Sequence, residues 1–161
     1  MEIRKGTKED AAVLSAINVE VQQIHADAHP RIFKQPVDET YAVQFMRERL
    51  EEPDQFFYIA RLIGVDVGYI YARMVDRPEN PFMHAWKFMY IDQMCVRQAY
   101  RRMGCGERLL AEVFHLAQAM GIETVALDSW SFNQVALAFF KGQGLETYNE
   151  RLWIYLDAQP E

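Results

Sequence analysis

Apolar residues recur at helical spacing from Leu14 through Ile17, Val21 and Ile24. Thr7 stands before this run with Asp10 three residues on, a helix-start pattern. The helix is expected to end near "HADAHPRIFKQP", where two prolines call for an irregular loop. A second helix follows Asp38, carries Ala42, Phe45, Met46 and Leu50, and stops at Pro53. The period then changes. "FFYIARLIGVDVGYIYARMV" is β-branched and aromatic with a break at Ile63 and Gly64, which predicts a hairpin. "DRPENPF" reads as a loop and "KFMYIDQMCV" as a strand. The segment "YRRMGCGERLL" opens a third helix, with Gly106, Leu109, Leu110, Val113, Ala117 and Met120 on one face and Gly121 just past its end. "ETVALDSW" predicts a strand, and Asn133 caps a helix running to about Gln143, closed by Gly144. A short first strand, "EIRK", and a last one or two in "ETYNERLWIYL" complete the set.

The predicted order is therefore β-α-α-β-β-β-α-β-α-β. The strand–helix–strand unit from Met89 to Asp128 should be a right-handed crossover with parallel strands. The hairpin must be antiparallel. Together they predict a mixed sheet in a single domain over residues 1–161.

Half of the 161 residues are hydrophobic and 13% are aromatic, enough for a substantial core. The chain has 17 Lys and Arg against 23 Asp and Glu, a net charge of −6, which argues against nucleic acid as a partner. The balance tilts slightly towards cationic small molecules. Cys95 and Cys105 form no CxxC pair and have no histidine cluster beside them, so no metal is expected and both read as packing residues. The expected setting is reducing and cytoplasmic. "MEIRKGTKED" has no apolar run of the signal-peptide kind, and no stretch has the length of a membrane span, so no membrane partner is expected.

The chemistry concentrates in "RRMGCG", between a strand and a helix. A helix start leaves backbone N–H groups without partners and carries partial positive charge, which suits phosphate. Glycine lets that backbone approach a bulky group, and arginine adds forked donors. The stretch makes chemical sense as a pyrophosphate cradle. It lacks the third glycine of the dinucleotide fingerprint and the Gly-Lys-Ser/Thr of a P-loop. Taken alone, it could equally be a tight turn with solvated arginines.

"RRMGCG" resembles the R/Q-x-x-G-x-G/A motif of the GCN5-related N-acetyltransferase (GNAT) family. "NQVALAFFKGQGL" resembles that family's second motif, N-x-x-A-x-x-F-Y-x-x-x-G-F, through Asn133, Ala136, Phe139 and Gly144. Phe140 stands in place of the motif tyrosine, and Leu145 where phenylalanine is common. "YIDQMCV" resembles the family's fourth strand and "VGYIYA", with Gly68, its third. The resemblance spans essentially the whole chain. It implies a mixed α/β acyl-CoA acyltransferase fold. The central sheet would be mostly antiparallel and flanked by helices, with strands 4 and 5 parallel and splayed.

By this resemblance, acetyl-coenzyme A is the cosubstrate. It would be held by Met94, Cys95 and Val96 along the fourth strand and by Arg101, Arg102, Met103, Gly104, Cys105, Gly106 and Glu107 at the pyrophosphate. Asn133, Phe139 and Phe140 would lie along the pantetheine arm. The expected reaction is acetyl transfer to a primary amine, in a small molecule or at a peptide N-terminus, by direct attack in a ternary complex. Asp92 is the candidate general base and Asp128 the runner-up. Phe140 cannot protonate the leaving sulfur as the motif tyrosine would, and this keeps open a second reading, a catalytically inactive acyl-CoA-binding sensor. A nucleotide-binding regulator is a third. The resemblance also leaves a homodimer open. His25 and His29 are expected in the loop after the first helix, and Arg47 and Arg49, among Glu48, Glu51 and Glu52, on a solvated helix face.

Overall fold

A computed structural model describes residues 1–156. Two compact units divide it, Met1–Asp128 and the segment from Ser129 onward. The first unit holds β1 (Glu2–Lys5), α1 (Ala11–Ala28), α2 (Glu39–Glu51), β2 (Gln55–Leu62), β3 (Val65–Arg77), β4 (Trp86–Val96), α3 (Cys105–Ala119) and β5 (Val125–Leu127). Among the described residues these form one five-stranded sheet in the order β1-β2-β3-β4-β5. The first three pairings are antiparallel and β4–β5 is parallel. The predicted mixed sheet is thus present.

Local chemistry sets the turns and ends. Ile63 and Gly64 both take positive φ, 49° and 75°, as a two-residue hairpin matching strand twist requires. A 3-10 turn, Lys8–Asp10, leads into α1, and Asp10 accepts from the Thr7 backbone N–H at 2.8 Å. Asp38 caps α2 by accepting from Tyr41 N–H at 2.7 Å. Gly121, at φ 67°, closes α3, with Ile122 N–H donating to Ala117 O at 2.8 Å.

Strand alternation feeds two cores. Phe57, Ile59, Tyr69, Tyr71 and Cys95 face α1 and α2, where they meet Leu14, Ile17 and Met46. On the opposite face α3 packs across β2, β3 and β4 through its buried stripe of Leu109, Leu110, Val113 and Ala117. Met120 of the predicted stripe is exposed, as expected where the helix ends.

Three expectations are corrected. His25 lies inside α1, which runs on to Ala28, and stacks edge-on against Phe33 at 4.9 Å; only His29 stands at the helix end. The strand expected over "ETVALDSW" is limited to Val125–Leu127. No strand forms in "ETYNERLWIYL" among the described residues. Strand-forming composition alone does not make a strand, because each backbone group needs a ladder partner. Leu152 and Ile154 are 88% and 80% exposed, while Trp153 sits edge-on to Tyr155 at 4.7 Å.

The second unit contains α4 (Gln134–Gly142), whose first turn is capped by Asn133 Oδ1 accepting from Ala136 N–H at 3.2 Å. Gly144 follows it at φ 91°.

Candidate active site

Two features of the first unit meet at the end of β4. The first is the turn into α3. Arg102 and Gly104 both have positive φ, 62° and 78°. Gly104 is the N-cap of α3, and among the described residues no side chain caps the helix there, unlike α2 and α4. The first-turn N–H groups, with the positive end of the helix dipole, are left to bind something else. Arg101, Arg102, Met103 and Glu107 are exposed around this turn, and Cys105 is buried beneath it with its thiol 3.8 Å from Tyr100 O. Glu20 of α1 steadies the approach by accepting from Gln98 N–H at 2.8 Å.

The second feature is the outer edge of β4. Pairing with β5 ends at Ile91↔Leu127, so among the described residues Asp92 to Val96 have a strand partner on the β3 side alone. Tyr71 stands opposite Gln93 and Ala72 opposite Ile91, which leaves Asp92 as the extra residue of a β-bulge. The bulge changes the phase of the strand. Met89 N–H donates to Thr124 O on the β5 side, whereas Arg97 N–H donates to Val67 O on the β3 side. An even number of residues separates them, so an unbroken strand would turn both the same way. With the slip at Asp92, Cys95 belongs to the β3 ladder while Met94 and Val96 turn their N–H and C=O groups outward. Arg101 Nε takes the outward Val96 O at 3.0 Å.

The bulge also aims side chains. In a regular strand neighbours point to opposite faces, yet Asp92 and Gln93 line one cleft of about 490 Å³, together with Tyr71 and Arg73 of β3. Phe45 and Arg49 of α2 and Gln55 of β2 complete it. Arg73 Nε donates to Asp92 Oδ2 at 2.6 Å, and the Asp92 side chain keeps 27% of its exposure. Burial raises the Asp92 carboxyl above its ordinary value, against the opposing pull of Arg73 and Arg49. Arg73 also lies over the Tyr90 ring at 5.0 Å, and Tyr90 donates to Asp128 at 2.9 Å. Both predicted carboxylates therefore flank one tyrosine. Burial, then the Asp128 hydrogen bond, pushes that tyrosine up to about 12, so its hydroxyl stays protonated.

Cys95 is buried with its thiol donating to Ile17 O at 3.3 Å, and burial pushes it up to about 12, which makes it a packing thiol. Asn133, Phe139 and Phe140 lie in the second unit; the Asn133 oxygen is engaged as a cap, and the two rings meet edge-on at 5.2 Å. Among the described residues no cluster of potential metal ligands forms, and no helix is long and apolar enough to cross a membrane.

Sequence reasoning missed Arg49, Gln55, Tyr71, Arg73 and Gln93. Arg49 is half-buried at the cleft, with its guanidinium 4.5 Å from the Phe45 ring, not on a solvated face. One signal was available: Arg49 follows the apolar Phe45 by one helical turn.

The chain matches the model of the "Acetyltransferase (GNAT) family" over residues 18–145. It is 26% identical over 132 residues to an N-alpha-acetyltransferase of Sulfurisphaera tokodaii, covering 80% of this chain and 79% of that one. A tetramutant of a Bacillus halodurans protein has the same fold, with a TM-score of 0.89 and 20% identity over 97% of this chain and 100% of that one. An aminoglycoside N-acetyltransferase in complex with coenzyme A gives a TM-score of 0.74 and 17% identity over 98% of this chain and 95% of that one.

Proposed function

We propose, on the premise that the chain belongs to the GNAT family of acetyltransferases, that it moves an acetyl group from acetyl-coenzyme A to a primary amine within a ternary complex. The observation that carries this reading is the open outer edge of β4 running into the uncapped start of α3. The pairing suits a coenzyme A arm, which carries two amides followed by a pyrophosphate. Met94 supplies an outward N–H and C=O for the amides, as an edge strand does for an added strand. The first turn of α3 supplies N–H donors for the pyrophosphate, and Arg101 and Arg102 flank it. The thioester supplies the activated acyl group.

The remaining work falls to the chain. A backbone N–H near Val96 binds the developing oxyanion in this reading. Asp92 takes the proton from the incoming ammonium, helped by a pKa raised towards that task. Asp128 is the alternative carboxylate. Phe140 has no proton to give the sulfur. A thiol with a pKa of about 8.5, taking cysteine as a guide, leaves as thiolate without it. The same phenylalanine is the feature favouring the rival reading, an acyl-CoA sensor without turnover.

The test is calorimetric titration of acetyl-coenzyme A, followed by thiol release over an amine panel with the same sample. Binding with release is expected. Binding without release on any amine would move the protein to the sensor class. Gly104→Glu is expected to abolish binding, since it sets bulk and negative charge in the cradle. Its left-handed backbone would cost only about 1–2 kcal/mol of stability. Unchanged affinity in that variant would remove this turn from the binding site.

A further inference from the structure

The cleft at the β4 bulge has an unusual balance of donors and acceptors. Its charged groups are Arg49, Arg73 and Asp92. Arg73 is matched by Asp92 Oδ2, which leaves Asp92 Oδ1 with no donor among the described residues. Arg49 has no carboxylate within ion-pair distance among the described residues, and stacks on Phe45 instead. A half-buried guanidinium fork left this way is suited to a planar anion.

The amides add to this. Tyr71 donates its hydroxyl proton to Gln55 Oε1. Tyr69, fully buried and itself accepting from Asn18 at 2.7 Å, donates to Gln93 Oε1 at 2.7 Å. Both glutamines have their oxygens engaged, so each offers an NH₂ group with no acceptor among the described residues. The cleft thus presents one fork and two amide donors, against a single available carboxylate oxygen. A ligand made only of ammonium groups would leave those donors unmet and would enter a cleft already carrying one surplus positive charge. The chain's net charge of −6 points the other way, but exposed charges beyond about 8–10 Å are screened, and the local set decides.

We infer that the acceptor is a small zwitterion. Its amine lies against Asp92, and an oxyanion on the same molecule, carboxylate or phosphate, lies on Arg49 and the two glutamine NH₂ groups. A cleft of about 490 Å³ has room for a molecule of amino-acid size. Arg49 is then the residue that separates acids from their esters and from polyamines. This inference rests on the acetyltransferase reading above.

The experiment is calorimetric binding of acceptors to the protein saturated with coenzyme A. The panel is a set of α-, β- and γ-amino acids, their methyl esters, O-phosphoethanolamine and spermidine. At least one zwitterion should bind more tightly than spermidine, and esterification should weaken it. A best ligand among the acids or O-phosphoethanolamine identifies the oxyanion. Arg49→Ala should weaken the best zwitterion roughly 10- to 100-fold, the range of a hydrogen bond to a charged group. It should erase the acid–ester difference and leave coenzyme A affinity unchanged. Arg49→Lys should restore part of the difference. A merely structural role would weaken acid and ester alike. Tighter binding of spermidine than of every zwitterion, or an intact acid–ester difference in Arg49→Ala, would overturn the acceptor class and leave the acetyltransferase reading standing. Failure of coenzyme A itself to bind would sink both.

Discussion

At the scale of the residue, Asp92 shows how position acquires meaning from one irregularity. Its type and its place on the fourth strand are in the sequence. Its shared face with Gln93, its ion pair with Arg73 and its raised pKa follow from the bulge. A base must be ionised to act, so turnover should rise with pH through a value above that of an ordinary aspartate. Asp92→Asn should lower turnover by about 10²–10⁴-fold, the usual worth of a positioned base, with little change in acetyl-coenzyme A affinity. Steady-state kinetics on a true acceptor, paired with calorimetry, checks this. Wild-type turnover in the variant would pass the role to Asp128, which Tyr90 holds at 2.9 Å.

At the scale of the element, β3 and β4 depend on a glycine. A Cβ on Gly68 would lie 2.6 Å from Cys95 O and 3.1 Å from Val96 Cα, both backbone atoms that cannot swing aside. Gly68→Ala should therefore push β4 away just where Met94 and Val96 turn outward. Overpacking of this kind costs about 1–3 kcal/mol, which lowers Tm by roughly 2–12 °C in a domain of this size. Acetyl-coenzyme A should also bind more weakly. Differential scanning calorimetry of both proteins decides the matter, and an unchanged Tm would show that the strands relax at no cost. The α3 turn is the complementary case, since a Cβ on Gly104, at φ 78°, would lie 4.0 Å from the Met1 side chain and meet no backbone of the kind that crowds Gly68 among the described residues.

At the scale of the molecule, one charge network ties the start of the chain to the sheet. Arg4 of β1 donates to Asp10 at 2.9 and 2.7 Å and to Asp66 of β3 at 3.0 Å, while Arg61 of β2 holds Asp66 at 2.8 Å. The Arg4 hydrogen bond holds the Asp10 carboxyl down at about 2, and Arg61 first, then Arg4, depresses Asp66. Both carboxylates stay charged in the folded protein at a pH where the unfolded chain binds protons. Their stabilisation is therefore complete above the ordinary carboxylate pKa of about 4 and is lost as pH falls from there towards about 2. Urea midpoints at pH 7, 4 and 3 should decline along that course. Asp10→Asn should start lower at pH 7 and decline less steeply, and parallel curves would remove Asp10 from the acid response.

The sequence by itself determined what is local or periodic. The apolar stripe of α3, the caps at Asp38 and Asn133, the break at Ile63 and Gly64, and the glycine-rich turn before α3 each follow from steric and hydrogen-bonding rules over a few neighbouring residues. The spaced motifs at 101–106 and 133–145 made the family legible as well. Tertiary structure decided everything that depends on a partner distant in the chain. The bulge at Asp92 exists only in the register of β4 against β3. Arg49 leaves a charged helix face for a cleft because α2 packs beside β2. "LWIYL" has the apolar and aromatic composition of a strand and forms none, because a strand is made by its neighbour as much as by its own side chains.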